Sequence, residues 1–323
     1  MTDSPAESTN PTPPPSQQRC AVQALGEPAA GTAARAQCWV MLEQPGAWGK
    51  KAVTQSDLDP DLGKAIDAIV SAAGGRFGLI REPNKRVSET GRTRVVLIAG
   101  GDPTKPWLLR GSVTDPAALL ALTPQALQSP TPTATLALLP RFVIAQDPIA
   151  LVCTNGTRDL CCAVAGRPVA SAAARERSGL VFETSHVGGH RFAPTGVLLP
   201  SGFTFARATA AEVIAALDDA ARGLTPAGFN TLDTNRGLAY LAPPAQVAVA
   251  AVQATLPTAP LEGWQAEIDE LAADAWRVVV ICPQGRRVVV EVTSTPGSHL
   301  RPASCGAEPA PFRIFSATVP AED

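Results

Sequence analysis

Pro148-Ile149-Ala150-Leu151-Val152-Cys153-Thr154-Asn155-Gly156-Thr157-Arg158-Asp159-Leu160-Cys161-Cys162 is an apolar run that breaks into a polar turn and closes on two adjacent cysteines. A short apolar run bounded by turn formers reads as a buried strand, so residues 148–153 are expected to carry Cys153 at a strand end. Past the turn, the pattern predicts a helix over 166–177, with Pro168 in its first turn, where a fixed φ and a missing N–H are tolerated. A strand over 180–184 follows and hands the chain to Ser185-His186-Val187-Gly188-Gly189-His190. The chain has three histidines, and two of them stand here around a glycine pair. Glycine permits the bends that let two short side chains converge.

Working outward, residues 197–199 and 203–206 read as a hairpin around Pro200-Ser201-Gly202. A helix over 209–222 should start on Thr209 and Glu212, which have capping-box spacing. Strand, loop, helix, strand, hairpin, helix is the order of a thioredoxin-like unit. Upstream the plan recurs: a strand at 38–43, the loop 44–49, a helix at 59–73 ended by Gly74-Gly75, and strands at 77–81, 94–99 and 105–113, with a charged loop over 82–92. The first half therefore reads as a degenerate copy without ligands. Downstream, the expectations are a loop at 236–244, a helix at 246–256, a hairpin of 276–282 with 287–293, and a strand at 311–318.

The fold class expected is α/β. A disordered leader covers 1–30, rich in Pro, Ser and Thr up to Arg19; an N-terminal thioredoxin-like unit covers 36–130, a second covers 137–224, and a small α+β extension covers 225–323. With 323 residues, 45% hydrophobic and 17% charged, the chain is long enough for two compact units. A net charge of −2 argues against a nucleic-acid footprint, which needs a basic face. No apolar stretch approaches the roughly 20 residues of a membrane span, and the leader lacks the pattern of a secretory signal. A cytoplasmic location is expected. Seven scattered cysteines make a poor disulfide framework. Cys20, Cys38 and Cys282 read as small buried hydrophobes, and Cys305 lies in a turn-like stretch.

Two thiols and two imidazoles form a natural four-ligand set. Three uses compete. Zinc takes two Cys and two His tetrahedrally, although its cysteines usually stand two to four residues apart. A two-iron, two-sulfide cluster suits ligand pairs on separate loops, one pair per iron. The adjacent Cys161 and Cys162 offer a thiol–disulfide pair, without a C-x-x-C motif.

The segments Cys153 to Cys162 and His186-Val187-Gly188-Gly189-His190-Arg191-Phe192-Ala193 resemble the motifs of the sucrase/ferredoxin-like family of thioredoxin-like ferredoxins. Weaker matches are Leu42 to Gly49, the Arg236-Gly237 to Pro243-Pro244 segment, and Arg301-Pro302-Ala303-Ser304-Cys305-Gly306. The resemblance implies a [2Fe–2S] cluster held by Cys153, Cys162, His186 and His190, with Cys161 the alternative to Cys162. It implies an electron carrier serving a redox partner protein, more than an enzyme with its own substrate. The paired carboxylates of a glycosidase are not evident, so no sucrase activity is expected. Arg158 and Arg191 flank the ligands, poised either to hydrogen-bond the cluster or dock an acidic partner, or to form ordinary salt bridges. Asp159 reads as the partner of Arg158, and Trp48 as a core residue.

Overall fold

The structure, a computed structural model, describes residues 19–85 and 93–320. Residues 1–18 of the expected leader and most of the expected loop over 82–92 lie outside the described residues. The described chain is packed from its start: α1 (Cys20–Gln23) buries Cys20, and Ala24, Glu27 and Ala29 follow it into the interior. The leader therefore does not extend to residue 30.

The first half runs β1 (Trp39–Glu43), α2 (Pro60–Ala72), β2 (Arg76–Arg81), β3 (Arg94–Asp102), β4 (Lys105–Val113), two short helices α3 (Pro124–Gln128) and α4 (Thr133–Leu138), and β5 (Val143–Ile144). Helix α2 starts where the sequence predicts, because the Asp59 carboxylate accepts the Asp61 and Leu62 N–H groups and Pro60 opens the first turn. The second half runs β6 (Ile149–Cys153), α5 (Leu160–Glu176), β7 (Val181–Thr184), β8 (Gly196–Leu199), β9 (Phe203–Phe205) and α6 (Ala210–Ala221). Thr209 and Glu212 form the expected capping box of α6. The chain continues through β10 (Asn235–Leu238), α7 (Pro243–Ala254), β11 (Gln265–Ala272), β12 (Ala275–Ile281), β13 (Arg287–Pro296), β14 (Arg301–Pro302), β15 (Pro309–Ala310) and β16 (Arg313–Thr318).

Ten strands form one mixed sheet in the order β10-β9-β8-β6-β7-β2-β1-β3-β4-β5. Each half contains one parallel pair, β1 with β2 and β6 with β7, joined through a helix, as parallel neighbours require. In each half the next strand pairs antiparallel to the first, β3 on β1 and β8 on β6. The halves meet edge to edge, β2 antiparallel to β7, with Ile80 opposite Thr184 and Arg81 opposite Glu183. The chain is thus α/β, built on one large sheet. The layer between the halves buries Trp39, Met41, Phe182, Cys153 and Cys162 in one cluster.

Helix α7 packs between β10 and a second sheet, β11-β12-β13-β16. Every residue from Ala245 to Gln253 is buried, as expected of a helix covered on all sides. In β13, Val290 and Val292 face α7 while Arg287, Val289 and Glu291 face outward, the two-residue period of a half-buried strand.

Besides α1, the short elements α3, α4, β5, β14 and β15 were not expected from the sequence, and three further differences have a clear physical cause. Helix α5 begins at Leu160, not at 166, so Pro168 lies inside it. Proline removes one backbone donor, and the carbonyl it would have served belongs to Val164, on the exposed side of the helix. Part of the expected 236–244 loop is strand β10, disguised by Gly237 at φ +117° and by a buried arginine at its centre. Strand β11, largely exposed, carries no apolar alternation to announce it.

Candidate metal centre

Cys153 ends β6, with its N–H donated to the Thr195 carbonyl at 2.9 Å and its side chain completely buried. Cys162 sits in the first turn of α5, also buried. The two approach because Gly166 lies flat on the strand end: a Cβ there would stand 2.2 Å from the Cys153 carbonyl oxygen. Consecutive helical residues point about 100° apart, so Cys161 turns away from Cys162 toward different neighbours. The adjacent pair does not act as one unit.

The histidine loop is anchored at both ends. Ser185 exchanges hydrogen bonds with Leu79 of β2, its N–H donating at 2.8 Å and its Oγ accepting at 3.0 Å. Gly188 and Gly189 are both left-handed, at φ +83° and +69°, a pair of bends costly for any other residue. Arg236, completely buried, fills the inside of this loop and donates to the Gly188 carbonyl at 3.1 Å, to Thr195 Oγ1 at 2.8 Å and to Thr32.

The ligand atoms of Cys153, Cys162 and His186 lie within 4.8 Å of one another. The His190 ring stands 5.3 Å from the His186 ring, centroid to centroid, outside that tight group. Both Nδ1 atoms, of His186 and of His190, are buried and without a hydrogen-bond partner. An unpartnered buried acceptor costs on the order of 1–3 kcal/mol, and a bound cation would satisfy it. His190 Nε2 lies 2.7 Å from the Ala303 carbonyl and 3.7 Å from the Asp159 carboxylate. A carbonyl only accepts, so the proton sits on Nε2 and the Nδ1 lone pair is free.

The electrostatics agree. A hydrogen bond from Cys162 holds the Cys153 thiol well below its usual range, with His186 and the Val187 N–H adding to it against the cost of burial. Cys162, as the donor, is held protonated. Burial lowers His190 and keeps it neutral, against the pull of Asp159. Burial also disfavours the Arg236 cation, an effect the nearby Cys153 and Cys162 partly offset.

The remaining expectations divide. Trp48 is a core residue, donating to the Gln44 carbonyl at 2.9 Å beneath the Arg81 guanidinium. Asp159 does not pair with Arg158: it caps α5 and accepts the N–H groups of Cys161 and Cys305, each at 2.9 Å. Arg158 is exposed on the wall of a cleft of about 330 Å³ beside His186, which also carries Lys50, Lys51, Lys64 and Arg76 against one acid, Asp67. Arg191 turns the other way, over the Phe192 ring and 4.0 Å from Glu27. Cys38 and Cys282 are buried, as expected. Cys20, also read as an inert hydrophobe, instead faces Cys161, Cys305 and Asp159 in a second group of donors within 4.8 Å. Sequence reasoning missed Arg236 as a loop anchor and Ala303 as the acceptor for His190. The signal for both was present in the short Arg236-Gly237 and Arg301 to Gly306 segments.

A mixed α/β sheet that brings Cys153, Cys162 and His186 together, with His190 beside His186, defines a protein with a thiol–imidazole group that could hold a metal. The profile of the sucrase/ferredoxin-like family matches residues 29–223, and the chain belongs to that family. The match includes all four of these side chains and stops short of Arg236, Ala303 and Cys305. No curated protein and no solved structure matches the chain. No helix among the described residues is long and apolar enough to cross a membrane.

Proposed function

We propose that this chain is an electron carrier that holds a [2Fe–2S] cluster through Cys153, Cys162, His186 and His190. The observation that carries the reading is the close group of Cys153, Cys162 and His186, with buried, unpartnered Nδ1 atoms on both His186 and the neighbouring His190. The arrangement favours a two-metal group over a single zinc, because His190 stands apart from the compact set of Cys153, Cys162 and His186. When bound, such a cluster supplies reversible one-electron transfer, and imidazole ligation places its potential at roughly −150 to +300 mV. The protein contributes the rest. The β6 end and the first turn of α5 hold the thiols. Arg236 sets the loop that aims the imidazoles. The Ala303 carbonyl keeps the His190 proton on Nε2, where it can be released.

The half from β6 to α6 supports a thioredoxin-like ferredoxin unit, and the half from β1 to β4 a ligand-free copy of it. The basic cleft beside His186 suits an acidic redox partner, since clustered charge of one sign steers association. The protein acts in electron transfer, without a sugar substrate.

Iron and acid-labile sulfide in equal amounts in anaerobically isolated protein support the reading; zinc at this site without sulfide replaces it by a zinc-stabilised binding module. Because protonated imidazole favours the reduced state, the potential should fall as pH rises. A potential constant from about pH 6 to pH 10 overturns the proton coupling.

A further inference from the structure

A second group of sulfur atoms lies on the far side of α5's first turn from Cys162. Cys161 Sγ is 3.2 Å from Cys305 Sγ and 3.7 Å from Cys20 Sγ, and Cys305 and Cys20 are 3.6 Å apart. Both carboxylate oxygens of Asp159 are 3.7 Å from Cys20 Sγ. The three thiols come from α1, from α5 and from the turn after β14, three segments far apart in the chain. Cys20 and Cys161 are buried, and Cys305 is half-buried.

We propose that Cys20, Cys161 and Cys305, with Asp159 at the fourth position, form a structural site for a zinc-type divalent ion. Two edges of the sulfur triangle, at 3.7 and 3.6 Å, are close to the roughly 3.8 Å that separates ligands on a tetrahedron with metal–sulfur bonds of about 2.3 Å, and the third, at 3.2 Å, would open slightly around an ion. Three soft thiolates and one carboxylate, three of the four residues buried, are a zinc donor set and make up four ligands without an open position. Asp159 already accepts the Cys161 and Cys305 N–H groups, so its oxygens are oriented before any ion arrives. Two of the three thiols, Cys20 and Cys305, lie outside the segment that the family profile matches, while Cys161 and Asp159 lie within it.

The site ties the chain's N-terminal segment and its C-terminal extension to the helix that carries Cys162. It also fixes the turn whose Ala303 carbonyl accepts the hydrogen bond from His190 Nε2–H. It stands apart from the cluster site in its ligands and does not depend on that site being occupied.

The test is metal analysis of the full chain, with zinc, iron and sulfide measured in parallel. One zinc per chain is expected in the native protein after dialysis against a competing chelator. Cys20→Ser and Cys305→Ser should each lose that zinc while retaining iron, and a Cys153→Ala variant should do the reverse. Should the serine variants fail to fold, cobalt titration of the metal-free Cys153→Ala/Cys162→Ala chain remains, and it should give the intense visible bands of tetrahedral thiolate–cobalt. Unchanged zinc in both serine variants, no such bands, or a Cys161–Cys305 disulfide in anaerobically isolated native protein overturns the proposal.

Discussion

Arg236 illustrates how much a single residue can decide and how little its sequence context reveals. Arginine is rarely buried, and here it lies in a glycine- and proline-punctuated stretch that reads as a loop. In the structure its guanidinium satisfies the inside of the histidine loop, and a Cβ on Gly189 would stand 2.3 Å from its Cζ. Arg236→Met should therefore strand the Gly188 carbonyl and leave the Thr195 hydroxyl with only its bond to the Phe205 carbonyl. The expected cost is about 3 kcal/mol in denaturant unfolding, with most bound iron lost; unchanged iron would show that the loop holds itself. The four proposed ligands, by contrast, were legible as residues, because thiols and imidazoles at close spacing have few other uses. Asp159 was not, since a carboxylate beside an arginine in sequence looks like its partner until the cap geometry is known. Cys38 gives a pH test at the same scale. Burial pushes its thiol up from 9.0 to about 12. A raised folded value means that stability is present in full below pH 9 and is lost as pH climbs toward 12. Cys38→Ala should flatten that alkaline loss, as read from unfolding midpoints at pH 8, 10 and 11; an identical alkaline slope in both proteins assigns the loss elsewhere.

Among the elements, α5 carries the tightest constraint. Its start was misplaced in the sequence because proline is a strong first-turn signal and the true first turn, Leu160-Cys161-Cys162, has weak helical character. Asp159 supplies the missing start by capping the Cys161 N–H. The helix must then lie against β6 closely enough that residue 166 has no room for a methyl group. Gly166→Ala should lift α5 from the Cys153 carbonyl, costing about 1–3 kcal/mol and separating Cys162 from Cys153, so both the melting temperature and the iron content fall. Thr209→Ala on α6 provides the contrast. Loss of its capping box should cost about 1 kcal/mol and leave iron content unchanged, because α6 brings no proposed ligand to the centre.

Over the whole molecule, the order of elements made two similar halves legible, but not how they join. That joint is the edge pairing of β2 with β7, which depends on contacts between strands far apart in sequence and leaves no local periodicity to read. The C-terminal part was legible only as a helix, a hairpin and a final strand, because its link to the centre runs through ionic and turn contacts. Arg301 makes that link: it forms a two-point ion pair with Glu27, one contact of which is Nη2 to Oε2 at 2.7 Å, and its guanidinium lies 3.9 Å above the Phe312 ring. Both partners are buried, at 3% and 6% exposure, so removing one leaves the other charge uncompensated. Arg301→Ala should cost about 3–5 kcal/mol and free the segment that carries Ala303 and Cys305. Limited proteolysis should then cut between residues 297 and 310 well before the ten-stranded sheet is attacked. Cleavage there at the native rate would mean that β14 and β15 hold the segment without the ion pair.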